Sequence, residues 1–338
     1  MSAYACPQGG VVIANEQAAA AAQDGAAHDA EDVPRDAPAE PVSPPRPRRR
    51  TGWIVALGIG VIALAVGVAL LLLELQSMNA RMERQQERIE QQERQIEEQK
   101  GLIDRKETFG TAMEELTATA REFEGVGVGG LVPSWQLSYL AESAWRHRYD
   151  AAAVERGTDE AIALMAQLST RLMDARSQAS GNSTGSVYEE VVDRLGDGFA
   201  TTSIDDADRL CGADVLGCVD SAGPRTVHID AAGAALPYMT DWLKTGIAYH
   251  EYAHVLQLTN PAPTESALAA FDGDHEWMAD CFALTYLDGW SLDHRVWVSS
   301  FQYWDVSVGY GRTCDASQQE VLGDWHSQLG YRSEPVAQ

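Results

Sequence analysis

From Gly52 to Leu73 the chain runs through 22 positions without one charged residue. A buried core helix carries about 10 to 14 apolar residues in a row, whereas about 20 are needed to cross a hydrocarbon layer of about 30 Å. The stretch therefore predicts a single transmembrane helix over residues 52–74, with Trp53 as an interfacial anchor. Its flanks are unequal. Arg46, Arg48, Arg49 and Arg50 crowd the N-terminal side, while the other flank has only Arg81, Arg84 and Arg88, diluted by acids. The positive excess predicts a single-pass protein of the cell membrane, with a cytoplasmic N-terminus and an extracytoplasmic C-terminal part.

Two segments flank this helix. Residues 1–51 are rich in Ala, Pro and acids and cannot bury enough apolar surface to fold, so a disordered cytoplasmic tail is expected. No apolar run near the start has the form of a cleavable signal peptide. Residues 75–124 predict a helical stalk. Leu75, Met82, Ile89, Ile96 and Ile103 recur every seventh residue, and the matching second position reads Met78, Gln85, Gln92 and Gln99. A second such series follows in Leu102, Phe109, Leu116 and Phe123. The pattern fits a weak parallel coiled coil, making a homodimer through the stalk, and equally a single solvated helix held by i,i+4 charge pairs. Gly125 to Gly130 reads as a flexible hinge, since neither a Lys-Ser/Thr pair nor a βαβ context makes it a nucleotide loop. Residues 125–338 are then left for one enzyme-sized domain.

That domain is acidic. The net charge of the chain is −25, and beyond Gly125 there are 30 acidic against 12 basic residues. Such a surface repels nucleic acid, which is not an expected partner. Of five cysteines, Cys6 lies alone in the tail and Cys211, Cys218, Cys281 and Cys314 lie in the domain. An even number permits two disulfides, most simply Cys211–Cys218 and Cys281–Cys314. No C-x-x-C pair favours a four-cysteine zinc site. Bridged cysteines require an oxidising compartment, in agreement with the charge asymmetry around the membrane helix.

The chemistry of the domain is concentrated in Tyr249-His250-Glu251-Tyr252-Ala253-His254, an H-E-x-x-H sequence inside a helix-compatible run from Ala234 to Leu258. Four apart on a helix, His250 and His254 share a face and can reach one ion. Glu251 stands one position round, placed as a base rather than a ligand. A catalytic zinc keeps three protein ligands and one open position. The third donor is sought in Asp274-His275-Glu276-Trp277-Met278-Ala279-Asp280-Cys281, where Glu276 and Asp280 share a helix face. Glu276, 22 residues beyond His254, is the expected ligand. Asp280 is the expected acceptor for the outer N–H of a ligating histidine. His275 and Asp274 compete for the third place. A metzincin site is excluded, because it would need Gly and His where the chain has Gln257 and Asn260.

The pairing of H-E-x-x-H-x-x-Q with E-x-x-A-D-C-F-A resembles the bacterial neutral zinc metallopeptidases, a gluzincin-type group. Cys211 to Cys218 leading into Thr226-Val227-His228-Ile229-Asp230, and the closing Trp325…Gly330-Tyr331, are similar to the same family, so the likeness spans roughly residues 185–332. It implies an α+β, mostly helical zincin-like domain with a small β element, Zn²⁺ on His250, His254 and Glu276, and hydrolysis of peptide bonds. The chain differs from that family in Tyr252-Ala253 before the second histidine and in lacking a His-Gly pair near the end.

On this reading the substrate is a peptide or protein, and Glu251 is the general base that takes a proton from the attacking water and returns it to the leaving amine. The strand Val227–Asp230 is expected beside the cleft, pairing with an extended substrate. Tyr249, Tyr252, His294, Tyr303, Tyr310 and His326 are all candidates to stabilise the developing oxyanion, and the sequence does not choose among them. Two readings from other classes stand beside the peptidase: a surface scaffold with a metallopeptidase fold but no turnover, and a stalked sensor whose metal is structural.

Overall fold

The computed structural model describes residues 52–212 and 215–333, and the chain divides into two compact units, Met1–Ala80 and Arg81–Gln338. The tail with Cys6, the arginine cluster before the membrane stretch and the side chain of Trp53 lie outside the described residues. Within the first unit every described residue belongs to α1, Gly52–Arg121, a single helix that continues into the second. Its residues from Leu57 to Leu73 expose leucine, isoleucine and valine on all sides. A helix apolar all round needs an apolar medium. Among the described residues this is the one helix long and apolar enough to cross a membrane.

In the second unit the end of α1 becomes core. Ala112, Leu116, Ala120 and Phe123 are buried. They lie on the stretch that runs beside α3, Ala151–Ala179, held at its ends by Arg105–Glu155 (3.6 Å) and Arg176–Glu122 (2.7 Å). The second seven-residue series is thus satisfied within the chain. The first is not: Met82, Ile89, Ile96 and Ile103 remain about half exposed. The expected hinge is also packed. Val126 and Val128 are buried, and Asn260 Nδ2 donates to Gly127 O at 2.9 Å. Glycine content read as freedom there; the alternating valines, which anchor the segment, carry the stronger signal.

The remaining elements follow in order. After α2, Ser134–Arg146, and α3 come α4, Val187–Gly196, β1, Thr201–Asp205, α5, Ala207–Cys211, β2, Gly217–Val219, β3, Thr226–Asp230, and α6, Ala231–Ala234. Next are α7, Asp241–Thr259, α8, Pro261–Leu268, α9, His275–Tyr286, the hairpin β4, Asp293–Ser299, and β5, Gln302–Ser307, and finally α10, Ala316–Ser327. The second unit is mostly helical with two small sheets. Helix α7 starts at Asp241 rather than Ala234, because Thr240 caps it by accepting from Leu243 N. Packed against α4, α9 and β2, α7 is buried on most sides.

The three-stranded sheet has the order β1-β3-β2, with β1 parallel and β2 antiparallel to β3. This corrects one expectation. β3 is the central strand, paired on both edges, so it has no edge left for a substrate. β2 is the outer strand on the side of α7.

Candidate metal centre

Two helices bring the expected donors together. His250 and His254 lie one turn apart on α7, and Glu276 stands in the first turn of α9, whose cap is Asp274. Asp274 Oδ1 accepts from the backbone N–H groups of Glu276 and Trp277 at 3.0 and 3.2 Å. That capping fixes the backbone from which the Glu276 side chain reaches back to α7. Glu276 Oε2 lies 3.0 Å from His250 Nε2 and 3.0 Å from His254 Nε2, and the two nitrogens are 3.2 Å apart. Of the competing donors, Asp274 is spent on the cap and on Arg312 (3.5 Å), and His275 turns to Gln257 (3.3 Å). Among the described residues, His250, His254 and Glu276 form the one group arranged to hold a metal ion.

The outer contacts fix what these atoms present to one another. His250 Nδ1 faces Asp280 Oδ1 at 2.9 Å, and His254 Nδ1 faces Gln257 Oε1 at 2.9 Å. Gln257 Nε2 donates to His275 O at 3.0 Å, so its oxygen is the atom left for His254. Gln257 is the residue whose role the sequence left unread, although its place three after His254 carried the signal. With both Nδ1 atoms donating outward, each Nε2 presents a lone pair to Glu276 Oε2. Three acceptors then converge with no donor among them, and a cation or a proton must lie between. Donors on a tetrahedral zinc at about 2.0–2.1 Å stand about 3.4 Å apart, close to the spacing here, and two imidazoles with one carboxylate are a zinc donor set. The residues fit that ion.

The electrostatics agree. Burial pulls the His250 pKa down, but hydrogen bonds to Asp280 and Glu276 more than reverse this and hold it up at about 10. Burial would raise Glu276, and the two histidines instead hold it far below the usual carboxylate range. Glu251 behaves oppositely. It is 5% exposed, burial raises its pKa against the pull of His250 and His254, and its Oε2 has no hydrogen-bond partner. Its Oε1 lies under β2, where a side chain at Gly217 would come within 2.8 Å of it. Only glycine lets that strand pass so closely.

A loop after β5 closes the other side. Gly309, at φ +87, sets the backbone against Asp280, and the Tyr310 N–H donates to Asp280 Oδ2 at 2.7 Å. The ring of Tyr310 stacks beside His250 with centroids 6.0 Å apart. Desolvation, then the charges of Glu276 and Glu251, push its phenol up to about 12. The other five oxyanion candidates are engaged elsewhere. Tyr249 and Tyr252 pack on Phe282, His326 on Phe282 and Tyr286, His294 on Trp290, and Tyr303 on Trp297.

Both expected cysteine pairs are at disulfide distance, Cys211–Cys218 with Cα atoms 6.4 Å apart and Cys281–Cys314 with 5.5 Å. Cys218 follows Gly217 and Cys281 follows Asp280, so each bridge ties a strip that borders the site. No family model, curated protein or solved structure matches the chain, and the chemistry of the site is read from its own residues.

Proposed function

We propose that this protein is a membrane-anchored zinc peptidase with a zincin-like domain, and that the likeness of its two central motifs to the neutral zinc metallopeptidases reflects shared chemistry. The observation that carries the reading is the convergence of His250 Nε2, His254 Nε2 and Glu276 Oε2 beside Glu251, a buried carboxylate with one unpartnered oxygen. Zinc held by those three atoms supplies a Lewis acid for a peptide carbonyl and lowers the pKa of water to about 7. Asp280 and Gln257 keep the imidazoles in the tautomer that presents Nε2. Glu251 Oε2 takes the proton of the attacking water and returns it to the leaving nitrogen, and its burial-raised pKa suits both transfers. The outer strand β2, passing over Glu251, is the edge that an extended substrate would pair with.

The direct test uses the zinc-loaded full chain with an unfolded protein as substrate. Cleavage that a chelator stops and added zinc restores is expected. Stoichiometric zinc without cleavage would leave a scaffold in place of an enzyme.

Tyr310 is the residue assigned to the developing oxyanion, since its phenol interacts with the Glu276 carboxylate and its ring lies on His250. The Y310F variant should lose about 10²- to 10³-fold in kcat, the size of one lost oxyanion donor, with KM and zinc content unchanged. Equal kcat would remove Tyr310 from the mechanism.

The arginines before the apolar helix and the two cysteine pairs support a domain outside the cytoplasmic membrane. The exposed stripe of Ile89, Ile96 and Ile103 is assigned to a second copy in parallel. β-branched residues at that heptad position favour two strands, and Arg88 would then face Glu93 of the other helix. With Cys6 replaced by Ser, I96C in membranes should cross-link rapidly, whereas E98C, on another face, should not. Equal rates would leave the stalk a single helix.

A further inference from the structure

We propose that the Cys211–Cys218 bridge is a thiol–disulfide exchange site, opened by a dithiol outside the membrane with His228 as proton donor, while Cys281–Cys314 is a fixed tether. That chemistry does not involve the metal; its consequence, the uncovering of Glu251, rests on the peptidase reading. The two bridges differ in access. Cys211, the last residue of α5, is exposed, and Cys218 is half-buried. Cys281 is fully buried in α9, and beside Cys314 the Trp277 indole N–H donates to Thr313 O at 3.0 Å. In an exchange, a thiolate attacks one sulfur and the other leaves with the negative charge. Cys211 is the sulfur open to attack. Attack on Cys314 would instead leave a thiolate at Cys281 in the apolar core, where an unpaired charge is costly.

The leaving sulfur has a proton source beside it. Cys218 on β2 pairs directly with His228 on β3, so their side chains share one face of the sheet, with Cβ atoms about 4.5–5.5 Å apart. Ser203 and Asp205 of β1 stand on the same face, while Val227 and Ile229 fill the buried one. His228 Nδ1 donates to Asp205 Oδ2 at 2.9 Å, and Ser203 Oγ donates to the same oxygen at 2.7 Å. Burial would raise the Asp205 pKa, and these two hydrogen bonds instead hold it below its ordinary value. The carboxylate fixes the imidazole through Nδ1, and Nε2 makes no hydrogen bond among the described residues. A domain with 30 acidic against 12 basic residues beyond Gly125 gives a departing thiolate no help from its general field. An imidazolium on the neighbouring strand supplies it.

In the first step one thiolate of the dithiol bonds to Cys211 Sγ and the S–S bond breaks. Cys218 leaves with the electron pair and takes the Nε2 proton of the His228 imidazolium, which water then restores. The second thiolate of the dithiol displaces Cys211, which leaves with its electron pair and is protonated by water. The dithiol ends as a disulfide and the cystine as two thiols, two electrons and two protons having passed between them. β2, three residues long, then loses its tie to α5, and Gly217 is no longer pinned over Glu251. On the peptidase reading, hydrolysis falls with it.

The experiment uses the zinc-loaded full chain with Cys6→Ser, in detergent, and two probes, dithiothreitol and glutathione. After each time point the free thiols are alkylated and all four cysteines are read by peptide mass spectrometry. With dithiothreitol, Cys211 and Cys218 should open about tenfold or more faster than Cys281 and Cys314. Glutathione, a monothiol, should leave its mixed disulfide on Cys211. His228→Gln should slow opening of the first pair about tenfold or more. The rate of the second pair and the zinc content should not change, whereas a general loss of fold would move both. Equal rates for the two pairs, an adduct on Cys218, or an unchanged rate in His228→Gln would overturn the assignment. Peptide cleavage should fall in step with the opening of the first pair, and cleavage that persists with that pair reduced would break its link to Glu251. If nothing is cut in either state while the alkylation pattern holds, the exchange site stands and the peptidase reading falls.

Discussion

Replacing Glu251 with Gln should lower peptide hydrolysis by about 10²- to 10⁴-fold while one zinc per chain is retained. Gln keeps the shape of the buried side chain under β2, so the strand above Gly217 is not disturbed. What it removes is the oxygen that can bind a proton. Glu251 is not among the three residues whose donor atoms converge. Metal content measured by mass spectrometry should therefore match wild type. Undiminished activity in this variant would remove the base assignment, and loss of zinc would make Glu251 a ligand instead.

Removal of the Glu276 carboxylate should have the largest effect on the metal itself. Three donors converge in the wild type, and Glu276→Ala leaves two imidazoles, because Asp274 is held by the α9 cap, Asp280 by Tyr310, and Glu251 stands outside the donor group. After dialysis the wild type should retain zinc and Glu276→Ala should not. Three variants then grade the site. Asp280→Ala, which loses the partner of His250, should weaken zinc by about 10- to 100-fold. Glu276→Ala should exceed that. Asp274→Ala should leave zinc in place and cost about 1 kcal/mol of stability as a lost helix cap. Equal zinc in all of them would refute the ligand set. Zinc also stabilises the fold by mass action, about 4 kcal/mol at a thousandfold excess over Kd, so its thermal shift should vanish in Glu276→Ala. Binding the ion displaces a proton from His250, held at about 10, and apparent affinity should rise about tenfold per pH unit below that value.

The donors were legible because helical spacing is a local rule. His250 with His254 and Glu276 with Asp280 are each i,i+4 pairs, and the 22 residues from His254 to Glu276 leave room for α8 and a turn to bring the two helices face to face. The cysteine pairing was legible for a similar reason, since the shortest connections prevailed. Tyr310 was not singled out from six candidates. Its position depends on Asp280 capturing its N–H and on the Cys281–Cys314 bridge, and neither leaves a periodic trace. The hairpin of β4 and β5 escaped notice although its strands alternate, because Ser300 and Phe301 at the turn are not the Asn-Gly or Asp-Gly pair that marks tight hairpins. β2 has three residues, too few for any period to show. The central place of β3 is a matter of topology, which its own residues do not encode.

The two cystine bridges sit one residue from Gly217 and one residue from Asp280. In a reducing environment the strip over Glu251 and the loop that aims Tyr310 would each lose their tether. A newly made chain would then carry its zinc ligands without the geometry to use them. On the proposed peptidase reading, competence would arrive only after export, when oxidation locks both strips down, and the cell interior would be spared a hydrolase of its own making.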